Sequence, residues 1–79
     1  MTDGNRLRKL VAEVLRVPEE TVTDGMTLLN TEAWDSFAHL ELIMAIEGEF
    51  KVNLSADEIA SMTSFTAIRA ALGSRGVAT

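Results

Sequence analysis

Apolar residues recur at helical spacing along this chain, and no stretch of useful length alternates with the two-residue period of a strand. Leu7, Leu10, Val11, Val14 and Leu15 follow the i, i+3, i+4, i+7, i+8 pattern of an amphipathic helix, which the sequence places from Asn5 to Arg16. Asp3 or Asn5 is a candidate cap for it. Pro18 disfavours helical geometry at Val17, so the helix is expected to end there. A second helix runs from Ser36 to Phe50, with Asp35 or Ser36 as its N-cap. Ser55-Ala56-Asp57-Glu58 fits a capping box and opens a short helix reaching about Met62. Thr63 or Ser64 caps a last helix that carries Phe65, Ile68 and Leu72 and ends near Gly73. Residues 74–79 read as a frayed tail. With 79 residues there is room for one domain, 1–79, and one modest core. The fold class is all-α: a small four-helix bundle of three longer helices and one short one, with a long first loop.

That loop, residues 17–35, is long for a compact domain and must be pinned down by its own apolar residues. Val22, Met26, Leu28, Leu29 and Trp34 are the candidates, and Pro18–Thr21 suits one helical turn with proline as its first residue.

Composition narrows the function. Twelve acidic residues against seven basic give a net charge of −5, which argues against nonspecific nucleic-acid binding. No apolar run approaches a membrane span, and the start lacks the charged-then-apolar pattern of a secretory signal. A cytoplasmic, monomeric domain is expected. Zero cysteines excludes a disulfide scaffold, a thiolate zinc site and a cysteine nucleophile. A single histidine leaves no multi-His metal site.

The helix from Ser36 carries more apolar surface than a small bundle needs. With Ser36 at 0° and about 100° per residue, Leu42, Ile43, Ile46 and Phe50 fall between roughly 240° and 340°, enough to face a core. Phe37, Leu40 and Met44 form a second stripe between roughly 40° and 100°, on the side of Ser36. Two readings stand side by side: one wide core face, or an exposed apolar ridge framed by acids that marks a docking surface. Charge favours the ridge, because Glu32 to Glu58 holds seven acids and one base, Lys51. Such a concentration suits basic partners and faster encounter.

A serine opening a helix is ordinarily a cap. The same place also favours a phosphate, because orphan backbone N–H groups and the helix dipole point there. The run from Trp34 to Phe50, Trp-Asp-Ser-Phe-Ala-His-Leu-Glu-Leu-Ile-Met-Ala-Ile-Glu-Gly-Glu-Phe, resembles the acyl carrier protein family, in which the serine of an Asp-Ser-Leu motif begins the second helix. The similarity continues through Leu54-Ser55-Ala56-Asp57-Glu58-Ile59 and Met62-Thr63-Ser64-Phe65.

The resemblance implies an acyl-carrier-like bundle and a 4′-phosphopantetheine arm on Ser36, transferred from coenzyme A by a magnesium-dependent phosphopantetheinyl transferase. The arm's thiol would hold acyl groups as thioesters, so the chain's lack of cysteine is no obstacle. The chain would be a non-catalytic carrier, delivering a tethered intermediate to acyl-transferring, condensing or ligase-type enzymes with basic docking patches. Asp35 would help the transferase recognise the site. Phe37, Leu40, Glu41, Met44 and Glu47 match the family's recognition-helix positions. Leu28, Ile46, Leu54, Ile59, Met62 and Ile68 are candidates to line an acyl chain slipped between helices, beside the plainer reading of each as core.

The chain departs from the family pattern in three places. Phe37 replaces the usual leucine, while Ala38 and Gly48 stand where the fatty-acid carriers typically have acids. These departures tilt the expectation towards a specialised lipid, polyketide or related pathway, with primary fatty-acid synthesis as the alternative. An unmodified helical adaptor using the same ridge is a reading of another class, and a hydrolase centred on Ser36 is more distant, since His39 lies towards the core and no oxyanion constellation is evident. His39 itself reads as a partly buried, hydrogen-bonded ring, Trp34 as packing the loop under the helix start, and Arg6, Arg8, Lys9 and Arg16 as a solvated face. Gly48, at a cost of about 1 kcal/mol relative to alanine, reads as merely tolerated, beside the alternative that it lets a partner backbone approach closely.

Overall fold

The computed structural model describes residues 6–77. Among the described residues four α-helices follow in order: α1 (Arg6–Leu15), α2 (Ser36–Phe50), α3 (Ala56–Ser61) and α4 (Phe65–Gly73). Among the described residues there is no strand, only one isolated antiparallel bridge between Thr27 and Ser64. The expected bundle of three longer helices and one short one is what forms. The candidate caps Asp3 and Asn5 lie outside the described residues.

The ends of the helices have local causes. Arg16 adopts a left-handed conformation at φ 59°, and Val17 N–H returns to the Ala12 carbonyl at 3.0 Å, so α1 closes on itself one residue before the proline effect is needed. Pro18 is extended and precedes a single 3₁₀ turn, Glu19–Thr21, rather than being its first residue. Lys51, at φ 55°, ends α2 in the same left-handed way. In the capping box of α3, Ser55 accepts from Glu58 N–H and Glu58 accepts from Ser55 N–H. Ser64 caps α4 by accepting from Ala67 N–H at 3.0 Å.

One core joins these pieces. Leu7, Val11 and Leu15 of α1 meet Leu42, Ile43, Ile46 and Phe50 of α2, and Met62, Phe65, Ile68 and Leu72 complete it. Val22, Met26 and Trp34 enter from the long loop. The loop is also held by backbone: Leu28 N–H donates to the Thr63 carbonyl at 2.8 Å and Phe65 N–H to the Met26 carbonyl at 3.0 Å. Leu29 departs from expectation. It is 95% exposed, because Thr27 and Asn30 exchange side-chain-to-backbone bonds that close a tight turn, with Leu28 packed inward and Leu29 at the tip.

The start of the expected tail is also tied down. Ser74, Arg75, Gly76 and Val77 amides all return to α4 carbonyls, and the Arg75 guanidinium pairs with Glu58 of α3. Helix-end carbonyls need donors, and this turn supplies them.

Candidate functional site

The head of α2 resolves which residue is the cap. Asp35 is extended, at φ −96° and ψ −175°, and its Oδ1 accepts the Ala38 N–H at 2.8 Å. Asp35 takes the capping duty that Ser36 would otherwise perform. Ser36, the first residue of α2, is exposed, and its hydroxyl has no hydrogen-bond partner among the described residues. A free hydroxyl at the positive end of a 15-residue helix is well placed to carry a phosphodiester.

Beyond Ser36 the two stripes of α2 separate. Ala38, Leu42, Ile43, Ile46 and Phe50 are buried in the core. Phe37, Leu40 and Met44 stand 72%, 59% and 70% exposed. The second stripe is therefore exposed, not part of one wide core face. Full burial of such a side chain would gain about 1.5–3 kcal/mol, and folding leaves that gain unused on this face.

The other expected partner contacts divide. Glu41 is exposed beside the ridge. Glu47 is half-buried, and its Oε2 accepts the Leu54 N–H at 2.9 Å, so this carboxylate first of all fastens the α2–α3 connection. The acidic character around α2 is similarly engaged in part. Glu49 pairs with Arg6 of α1 at 3.2 Å, a surface contact worth little. The Ser55 backbone N–H and the Arg75 guanidinium hold the Glu58 carboxyl below its usual range.

Of the six acyl-chain candidates, Ile46, Met62 and Ile68 are fully buried. Leu28, Leu54 and Ile59 are partly buried and packed against the same core. All six thus belong to one continuous apolar region, three inside and three at its rim. Ala38, one of the departures from the family pattern, is on the buried face; its lack of charge follows from packing and bears little on partner choice. A Cβ at Gly48 would meet nothing within 4 Å, so no contact inside the chain demands glycine there.

The sequence model of the PP-binding family, the phosphopantetheine attachment site, matches residues 5–72. The chain belongs to that family. It is a phosphopantetheine-bearing carrier protein, and its cofactor is covalent 4′-phosphopantetheine. A carrier of this family works through a phosphopantetheinyl transferase and through partner enzymes. Among the described residues no helix is long and apolar enough to cross a membrane.

The carrier's single histidine is held at both ring nitrogens. Trp34 Nε1–H donates to His39 Nδ1 at 3.1 Å, and His39 Nε2 lies 3.0 Å from the Ile59 carbonyl of α3. The partly buried, bonded ring was legible. Its partners were not, and the available signal was that a buried tryptophan N–H must find an acceptor.

Proposed function

We propose that Ser36 is the attachment residue, and that the chain is a non-catalytic acyl carrier serving a specialised lipid, polyketide or related pathway. The observation that carries this reading is the exposed Ser36 hydroxyl, freed from capping by Asp35, at the head of a helix whose neighbouring ridge is left uncovered. When bound there, the arm supplies a thiol for acyl thioesters.

The chain's own residues supply position and recognition. The Asp35 cap fixes the first turn of α2, and with it the direction in which Ser36 is offered to the transferase. Unpartnered amides of that first turn and the helix dipole favour a phosphate on Ser36. Phe37, Leu40 and Met44 insert into apolar pockets of partner enzymes, with Phe37 as a bulkier anchor than leucine. Glu41 steers basic docking patches. Glu47 acts mainly by holding Leu54, and contributes to docking through its charge. Leu28, Leu54 and Ile59 form the entry, and Ile46, Met62 and Ile68 the interior, of a path an acyl chain would take between helices.

Phe37 and Gly48 support the specialised pathway, since both lie on the exposed side of α2 where partner enzymes are read. The test is a loading panel on the modified protein, offering malonyl, long-chain acyl and aminoacyl donors with their transfer enzymes. The proposal expects poor use by the core fatty-acid enzymes. Efficient elongation by those enzymes would instead establish primary fatty-acid synthesis.

A further inference from the structure

The residues on either side of Asp35 and Ser36 are joined to each other. Trp34 is 1% exposed, and its indole N–H can only donate. It donates to His39 Nδ1. Nδ1 is therefore the acceptor, the neutral ring carries its proton on Nε2, and that N–H donates to the Ile59 carbonyl. The two rings lie 6.1 Å apart between centroids, tilted by 31°. One imidazole thus connects the end of the long loop, the first turn of α2 and the last turn of α3.

The α3 end of this relay needs it. This helix has six residues, none of them fully buried, so its polar ties carry much of its placement. Its last carbonyls have no continuing helix to satisfy them. The Ile59 carbonyl receives Met62 N–H only at 3.3 Å, and the His39 bond at 3.0 Å is the shorter of the two.

We infer that His39 is a positioning residue for modification of Ser36. Through Trp34 it fixes the approach to the Asp35–Ser36 turn, and through Ile59 it fixes the short helix beside it. An enzyme reaching Ser36 Oγ meets these elements already arranged. Without the relay it must order them on binding, which costs affinity and leaves the chemical step unchanged. The inference rests on Ser36 as the attachment residue; His39 itself touches neither the arm nor the reacting atoms.

The experiment follows arm attachment kinetically, using a promiscuous phosphopantetheinyl transferase, magnesium and coenzyme A. His39→Leu raises the KM for the carrier roughly five- to tenfold, the size of one lost hydrogen bond, while kcat stays within about twofold. Trp34→Phe keeps the aromatic packing, removes the donor and gives a rise in the same direction, so it carries the test if His39→Leu does not fold. His39→Gln offers one acceptor and one donor, and restores most of the loss. Imidazole nitrogen NMR shifts of the wild type show the Nε2–H tautomer. An unchanged KM in the folded variants, a fall in kcat alone, a glutamine variant no better than leucine, or an Nδ1–H tautomer overturns the inference. If the wild type takes no arm, the assignment of Ser36 fails as well; if it does and the variants match it, this inference alone fails.

Discussion

Helices α1 and α2 are both rich in apolar residues, yet they use them differently. In α1, Leu7, Val11 and Leu15 are buried, while Arg6, Lys9 and Glu13 face water. Its apolar stripe is consumed by the core. In α2 the same core takes Leu42, Ile43, Ile46 and Phe50, and Phe37, Leu40 and Met44 remain outside. A helix that only had to fold would resemble α1. The surplus on α2, beginning beside an exposed serine, is the surface that the proposed docking of partner enzymes would use.

That contrast is most easily broken by truncating the two faces of α2 separately. Leu42→Ala removes a fully buried side chain and should cost about 2–5 kcal/mol, enough to unfold much of so small a domain. Met44→Ala should change stability by less than about 0.5 kcal/mol. Urea unfolding of the pair measures the difference, and equal losses would mean that the ridge is part of the core. Next in size, Asp35→Ala removes the cap on Ala38 N–H and should cost about 1 kcal/mol, read as a lower urea midpoint. No loss would return the capping duty to Ser36.

Gly48→Ala probes the outer face from the other side. Nothing in the chain would touch the added Cβ, so stability should rise by up to about 1 kcal/mol. Attachment of the arm should proceed as in the wild type. Slower attachment in the more stable protein would show that a partner backbone approaches closely there. The smallest effect belongs to Glu58, away from α2. Its folded carboxyl is held low by the Ser55 N–H and then by Arg75, so its contribution is present at neutral pH and lost as pH falls through the folded value. In Glu58→Gln that part of the acid limb of the stability profile should flatten. An unaltered acid limb would mean that neither the Ser55 N–H nor Arg75 holds this carboxylate in solution.

How much of this was legible in the sequence depends on whether a feature is local. The limits of α2 and α4, the capping box of α3 and the two stripes of α2 all follow from spacing and from residues within a turn of each other. So does Ser36 as an exposed first helical residue, once Asp35 is granted the cap. Leu29 was misplaced because the tight turn at Thr27–Asn30 reverses the chain under it. The loop's attachment to Thr63 and Phe65 joins residues far apart in sequence, and periodicity carries no trace of such pairing. Glu47 looked like one more surface acid. Its bond to Leu54 depends on the left-handed Lys51, which turns the chain back beside α2. The ion pairs of Glu49 and Glu58 likewise required knowing which helices lie next to them, and a count of acids alone overstated the field around the ridge.

In the proposed function, the head of α2 presents Ser36 for covalent modification. Intact mass, taken before and after incubation with a promiscuous phosphopantetheinyl transferase, magnesium and coenzyme A, is the measurement that decides this, with Ser36→Ala alongside. A single phosphopantetheine should be added to the wild type and none to the variant, both folded to the same extent. Addition to the variant, or none to a folded and previously unmodified wild type, would contradict it.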